Sequence, residues 1–114
     1  MGEAIYHDGH RIVRRAEAKK PTAGGACAFY TVEDDEAETE IVFQYDTIPN
    51  IGVKGWTNEA LLAVVLDRLE GFQAGDFPSA WNGAAIVHVK QALWELEQRT
   101  KERQERGVEG QHEA

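Results

Sequence analysis

Residues 57–75 read TNEALLAVVLDRLEGFQAG, and residues 79–107 read SAWNGAAIVHVKQALWELEQRTKERQERG. In both stretches the apolar residues recur at three- and four-residue spacing, which is typical of amphipathic helices. The first stripe consists of Leu62, Leu66 and Leu69, with Leu61, Val65 and Phe72 beside it, and the second consists of Ile86, Val89, Leu93 and Leu96. Together the two stretches predict an antiparallel helical hairpin.

The residues at the ends of these stretches are typical helix caps. Thr57 is the predicted N-cap of the first helix, and Gly75 is predicted to end it in a left-handed conformation. Ser79 or Asn82 is the predicted N-cap of the second helix, which we expect to end at Gly107.

Three strand-like runs precede the hairpin. They are Ala4–Val13, which the turn signal Asp8-Gly9 divides, Ala26–Val32 and Glu40–Asp46. They predict an antiparallel sheet of three or four strands. The predicted fold class is therefore α+β, with a small N-terminal antiparallel β-sheet followed by a C-terminal antiparallel helical hairpin.

Length and composition restrict the organisation further. A chain of 114 residues forms one domain or two very small lobes. The Pro- and Gly-containing break at Ile48–Gly52 predicts a β-sheet lobe over residues 1–50 and a hairpin over residues 51–114, with a frayed tail. The net charge of −8 argues against binding of polymeric nucleic acid.

The sequence favours a cytoplasmic protein with no membrane partner. A lone cysteine, Cys27, allows no intramolecular disulfide and favours a reducing compartment. No stretch approaches the roughly 18 continuous apolar residues that a membrane span needs. The N-terminal residues also lack the apolar region of a signal peptide.

Three arginines near the end of the second helix form the strongest candidate site. Arg99, Arg103 and Arg106 are spaced four and three residues apart, so we expect them on one helix face, where they continue the line of the apolar stripe through Leu96. A guanidinium offers a planar fork of donors that matches a phosphate. In the alternative interpretation they are ordinary helix-end cations, paired with Glu95 and Glu102, whose removal changes stability little.

Aromatic residues around the predicted hairpin turn form a second candidate. Trp56, Phe72, Phe77 and Trp81 either stack on a nucleotide base or pack in the hairpin core. The amide of Asn82 either contacts a base edge or ribose, or caps the second helix. Both alternatives stay open for each of these residues.

Catalytic arrangements are weak in this sequence. No histidine is spaced to activate Cys27, and the carboxylates of the predicted helices are spread around the axis rather than clustered inward. His7, Asp8 and His10 are neighbours across a tight turn, which seldom forms a metal site. We therefore expect no catalytic residue, no metal and no cofactor.

Several phrases of the sequence resemble one phage family. They are GVKGWTNE at 52–59, LDRLEGFQAG at 66–75, and the arginine-containing phrases from Arg99 to RGVEG at 106–110. Together they resemble the helical-hairpin domain that the first Thoeris anti-defence protein shares with the second anti-CBASS protein. The strand-rich segment before the hairpin resembles the Thoeris branch of this family, since the anti-CBASS branch is nearly all hairpin.

The resemblance implies a sponge that binds an immune signalling nucleotide without cleaving it. The implied ligand is a cyclic ADP-ribose isomer, and the matching residues are Phe72 for base stacking, Asn82 for a polar contact, and Arg99 and Arg103 for the phosphates. Some relatives also bind cyclic di- or trinucleotides at a separate site, for which Arg106 is our candidate. The family implies homodimers that associate into hexamers, acting in the cytoplasm of the infected bacterial host.

Two other function classes remain open from the residues alone. One is a small helical nucleotide hydrolase, which needs inward carboxylates and a metal. The other is a phage structural or adaptor protein in which the hairpin only oligomerises. In each class we expect at least a dimer, because Leu61, Leu62, Val64, Val65 and Leu66 surround the first helix on more sides than one partner helix covers.

Overall fold

The computed structural model describes residues 2–16, 26–44, 52–53 and 55–107. Four strands precede two helices, which confirms the predicted α+β fold with a C-terminal helical hairpin. The elements are β1 (Glu3–His7), β2 (Ile12–Arg15), β3 (Phe29–Glu33), β4 (Glu38–Val42), α1 (Asn58–Ala74) and α2 (Ala80–Glu105).

The chain divides into two compact units, one containing the strands and reaching Trp56, the other beginning at Thr57 and containing the helices. The predicted lobe boundary at residue 50 stays a prediction, since residues 45–51 lie outside the described ones.

The four strands form one antiparallel sheet in the order β1-β2-β3-β4. The turns β1–β2 and β3–β4 are closed in the same way, by Asp8 and Asp34, whose carboxylates accept backbone hydrogen bonds of 2.7–2.9 Å. The donors are the N–H groups of Arg11 and His10 in the first turn and of Glu36 and Ala37 in the second. Because these bonds favour the charged carboxylate, they lower the pKa of both aspartates below the ordinary 3.8.

Both faces of the sheet combine apolar residues with an ion pair. On one face Val13 lies opposite Val32, and the ring of Tyr30 meets that of Phe43 edge to face at 5.7 Å. The same face carries the ion pair between Arg15 and Glu3. The other face carries an ion pair of 2.8 Å between Arg14 and Glu33.

Trp56 extends the sheet rather than the hairpin. Its backbone N–H donates to the carbonyl of Val42 at 2.8 Å, and it forms a parallel bridge with Phe43. Gly55 makes this approach possible: its φ is 78°, and a Cβ there would lie 2.6 Å from the Val42 oxygen. Trp56 therefore belongs to the strand-containing unit, and the hairpin-core alternative does not hold for it.

Side-chain caps begin both helices. The Thr57 hydroxyl accepts a hydrogen bond from the N–H of Ala60 at 3.1 Å, which confirms the predicted cap of α1. The Ser79 hydroxyl accepts one from the N–H of Asn82 at 3.0 Å. Ser79 is therefore the N-cap of α2. Asn82 lies in the first turn of this helix, and its side chain does not cap it.

The two helices end differently. Gly107 follows α2 with a left-handed φ of 72°, as predicted. Gly75 has a φ of −98°, so the prediction of a left-handed cap there was wrong. The turn is closed instead by the side chain of Gln73, whose Oε1 accepts from the N–H of Ser79 at 2.9 Å. That bond directs the chain into α2 without a left-handed residue.

Most of the half-buried residues of the two helices recur in an alternating three–four pattern that faces the other helix of the hairpin. Outside this pattern, Leu61, Gly83, Ala85 and Ala92 are also half-buried. Within it, the α1 residues are Glu59, Leu62, Leu66, Leu69 and Gln73, and the α2 residues are Asn82, Ile86, Val89, Leu93, Leu96, Thr100 and the buried Arg103. We call these two rows the seam. Its centre is apolar, and polar side chains occupy both of its ends.

The packed core of a single chain is small. Among the described residues the only buried hydrophobic residue is Ala28, and no large side chain is fully buried. A folded chain of this size normally buries about two-thirds of the surface of its unfolded form. A second protein surface would supply the burial that the single chain lacks.

Candidate functional site

The candidate residues lie at opposite ends of the hairpin. Phe72 and Asn82 lie near the connection between the helices, which we call the turn end. Arg99 and Arg103 lie in the last turns of α2, near the beginning of α1, which we call the open end; there the Thr100 hydroxyl lies 3.5 Å from the Glu59 carboxylate.

A helix rises about 1.5 Å per residue, so Asn82 and Arg99 lie about 26 Å apart along α2. One chain therefore does not bring its aromatic and cationic candidates together around a small molecule.

Three aromatic side chains at the turn end are exposed. The exposed fractions are 43% for Phe72, 72% for Phe77 and 85% for Trp81. In the single chain they do not form the hairpin core, so the core alternative fails for them. The ring of Phe72 is partly covered by Arg68, whose guanidinium carbon lies 5.5 Å from the ring centroid.

The turn holds the amide of Asn82 in place. Its Nδ2 atom donates to the carbonyl oxygen of Phe77 at 3.2 Å. The second N–H and the carbonyl oxygen of the amide make no hydrogen bond within the described residues. This oriented pair of donor and acceptor matches the edge of an adenine or a ribose hydroxyl.

At the open end, Arg99 and Arg103 have different surroundings. Arg99 is exposed, and no carboxylate of the described residues lies within 4.0 Å of it, so the predicted ion pair with Glu95 is not formed. Its guanidinium can offer its fork of donors to an anion.

Arg103 is buried, with 7% of its surface exposed, which fits a residue that continues the apolar stripe through Leu96. The reason is that Arg103 lies in the seam, three residues after Thr100 and seven after Leu96, whereas Arg99 lies beside the seam. Burying a guanidinium carries a desolvation cost, so we expect a change at Arg103 to affect the stability of the hairpin as well as any binding site.

Arg106 fits the ordinary helix-end interpretation. It is paired with Glu102 at 3.7 Å, the i,i+4 pair that the sequence predicted. Its partial exposure leaves it accessible, but the described contacts do not join it to Phe72 or Asn82.

The sequence analysis did not single out Arg68, whose guanidinium lies over the Phe72 ring. Two signals could have indicated this contact. Arg68 is four residues from Phe72, and no acidic residue lies three or four positions from it on the same helix.

The outer face of α2 carries a shallow depression of about 450 Å³, lined by Val87, Lys90, Gln91 and Trp94. Val87 and Trp94 are large apolar side chains with exposed fractions of 64% and 56%. These two exposed apolar residues lie two turns apart on one helix and form an apolar strip that a protein partner would cover.

The described residues also bear on metal binding and on membrane crossing. No group of three or more His, Cys, Asp or Glu side chains is placed to hold a metal ion within residues 2–16, 26–44, 52–53 and 55–107. In the same part of the chain, neither helix combines the length and the hydropathy that crossing a membrane requires.

Comparison with known proteins identifies the family. No family model matches the chain. A protein of Bacillus phage SBSphiJ7 named "Thoeris anti-defense 1" is 41% identical over 91 residues, which cover 79% of this chain. The aligned part spans 64% of the length of that phage protein. The resemblance seen in the sequence phrases is thereby confirmed, and the chain belongs to the Thoeris anti-defence family.

Proposed function

We propose that this protein is a phage anti-defence sponge that binds and sequesters a cyclic ADP-ribose isomer without cleaving it. The observation that carries the proposal is the pairing of complementary groups on one hairpin: an exposed aromatic ring with an oriented amide at the turn end, and an exposed guanidinium at the open end. The name of the similar phage protein supports the anti-defence part.

Each part of such a ligand has a matching group. The base stacks on Phe72, a contact worth about 1–3 kcal/mol. The amide of Asn82 reads a base edge or a ribose hydroxyl. Arg99 donates to the pyrophosphate through charge-assisted hydrogen bonds, and Arg103 supports it from the buried side of the same end.

The binding site is completed by a second copy of the chain. A cyclic ADP-ribose is far smaller than the separation of about 26 Å between Asn82 and Arg99 along α2. A two-fold axis that sets two hairpins antiparallel places the turn end of one beside the open end of the other. Because such an interface is isologous, it creates two identical sites.

The apolar strip on α2 supports this arrangement. Val87 and Trp94 are exposed in the single chain. Burial of apolar surface contributes about 25 cal/mol per Å², so these two side chains favour association with another protein surface. Further association of the dimers into hexamers, and a second site for cyclic di- or trinucleotides near Arg106, stay predictions from the family resemblance.

We infer sequestration rather than cleavage from the family resemblance. Within the described residues, no group of three or more His, Cys, Asp or Glu side chains is placed to hold the metal ion that a helical nucleotide hydrolase would need. Binding in a closed, two-chain site would then remove the signalling nucleotide from the cytoplasm of the infected host cell.

The test is recovery of the ligand from the protein. The protein is incubated with cyclic ADP-ribose isomers that differ in their closure, separated from free ligand, and denatured, and the released nucleotide is identified by mass spectrometry. Recovery of intact ligand supports the sponge. Recovery of an opened ligand would indicate a hydrolase, and no retained ligand would indicate an adaptor protein.

Two variants sharpen this test. Arg99→Ala should weaken binding about 10- to 150-fold, since charge-assisted hydrogen bonds are worth roughly 1.5–3 kcal/mol. Lys101→Ala is the matched control, because it removes the charge of an exposed cation only two residues away on α2. Equal effects of both variants would mean that the net charge of the open end, rather than a specific contact, governs binding.

A further inference from the structure

The ring of Phe72 and the guanidinium of Arg68 form one unit on the surface of α1. The guanidinium carbon lies 5.5 Å from the ring centroid, within the roughly 6 Å at which a cation is attracted to an aromatic face. Phe72 still has 43% of its surface exposed. One part of the ring is therefore covered by a cation while the rest is open.

The sequence leaves Arg68 few other partners. It is the only cation of α1, and the helix neighbours three and four residues away are Val64, Val65, Gly71 and Phe72. None of these can form an ion pair. Within the described part of the chain, no carboxylate lies within 4.0 Å of the Arg68 guanidinium. Contact with the ring is thus the favoured state of the guanidinium.

Gly71 keeps space open beside this pair. A glycine inside a helix is less favourable than alanine. Yet a Cβ built on Gly71 would meet no atom of the described residues within 4 Å. Packing within the described chain does not require the glycine, whereas a molecule approaching the surface next to Phe72 would benefit from it.

We propose that Arg68 is a positioning residue of the nucleotide site: it holds one face of the Phe72 ring, so that the ligand base stacks on the other face. This inference rests on the proposed nucleotide-binding function and adds a residue to it. A ring held in its binding orientation before the ligand arrives loses less conformational entropy on binding. The cation on the far face also withdraws electron density from the ring that meets the base.

A double-mutant cycle separates positioning from direct contact. The variants are Arg68→Ala, Phe72→Ala and the two combined, with binding of a ribose–ribose-closed cyclic ADP-ribose measured by calorimetry. Arg68→Ala should weaken binding about 2- to 5-fold, the fold-change that corresponds to an exposed cation–π contact. In the Phe72→Ala background it should cause no further loss, because Arg68 acts through the ring. Arg68→Lys, which keeps a cation, should restore part of the affinity.

Lys101→Ala is the matched control, since Lys101 is another exposed cation of the hairpin but lies at the open end, away from the Phe72 ring. It should bind like the parent. A second readout needs no ligand: the ring resonances of ¹³C-labelled Phe72 should shift in Arg68→Ala and remain in place in Lys101→Ala. An unchanged Phe72 spectrum in Arg68→Ala would overturn the inference.

The remaining outcomes are distinct. Losses that add in the double variant would mean that Arg68 contacts the ligand by itself, which overturns the positioning role. Parental binding in Arg68→Ala would refute this inference and leave the proposed function intact. Failure of the parent protein to bind any cyclic ADP-ribose isomer would refute the proposed function and this inference with it.

Discussion

A site divided between two chains can be tested by mixing two inactive variants. Phe72→Ala removes the turn-end half of every site, and Arg99→Ala removes the open-end half. Stacking of a base is worth about 1–3 kcal/mol, so Phe72→Ala should weaken binding about 5- to 150-fold. Arg99→Ala should cause a loss of about 10- to 150-fold. Each variant alone therefore loses both sites of its dimer.

A mixed dimer of the two variants behaves differently. One of its sites carries both substitutions, and the other combines the intact Phe72 of one chain with the intact Arg99 of its partner. Random pairing of equal amounts makes half of the dimers mixed, so about one quarter of all sites should be intact in an isologous dimer. These sites should bind with parental affinity, because nothing in them is changed.

The assay is calorimetric titration of variants refolded together, with distinct tags on the two chains to confirm that mixed dimers have formed. The matched control mixes Arg99→Ala with Arg103→Ala. Both substitutions then affect the open end, so each site of the mixed dimer keeps one defect and parental affinity should not return. Confirmed mixed dimers of Phe72→Ala and Arg99→Ala that lack a class of parental sites would refute the divided site.

Further predictions concern stability. Thermal unfolding should distinguish the two arginines. Arg99→Ala should change the free energy of unfolding by no more than about 0.5 kcal/mol, whereas Arg103→Ala, which removes a buried charged group, should lower it by about 1–3 kcal/mol. Equal stabilities of the two variants would contradict their different burial. Gly107→Ala should destabilise the protein by about 1–2 kcal/mol, because Gly107 has a left-handed φ. Gly71→Ala should stabilise it by about 1 kcal/mol, because alanine favours a helix more than glycine does. Chemical denaturation that shows changes of the same sign in the free energy of unfolding would contradict this pair of predictions. Because its folded pKa lies below 3.8, Asp8 stabilises the fold above that pH and loses this contribution as the pH falls through the folded pKa; an NMR titration midpoint at or above 3.8 would contradict the turn geometry.

Local sequence signals predicted a helix end correctly where the capping residue itself makes the contact or adopts the conformation that ends the helix. Thr57 caps α1 through its hydroxyl, and Gly107 adopts the left-handed conformation after α2. Gly75 did not follow the same rule, because the Gln73 side chain closes the turn through Ser79. A glycine is compatible with several conformations, so the choice depended on a contact between residues six positions apart.

Other outcomes depended on tertiary contacts that no local pattern contains. The aromatic character of Trp56 suggested the hairpin, yet its backbone pairs with β4 beside Phe43. The spacing of Arg99 and Arg103 placed both on one helix face, yet only Arg103 lies in the three–four pattern of the seam and is buried, whereas Arg99 is exposed. A shift of four residues turns a helix position by only about 40°, which is enough to separate an exposed position from a buried one.

The division of the candidate groups between the two ends also links ligand binding to assembly. If only the dimer has complete sites, ligand stabilises the dimer by mass action, with about 2.7 kcal/mol per site at a free concentration of 100 times Kd. With two sites per dimer, the apparent dissociation constant of the dimer should fall about 10⁴-fold at that concentration. Analytical ultracentrifugation with and without ligand measures this change directly. Arg99→Ala should reduce it in proportion to its loss of affinity, whereas Lys101→Ala should retain it. A dimer whose dissociation constant does not respond to saturating ligand would place the whole site within one chain, which the separation of Asn82 from Arg99 along α2 argues against.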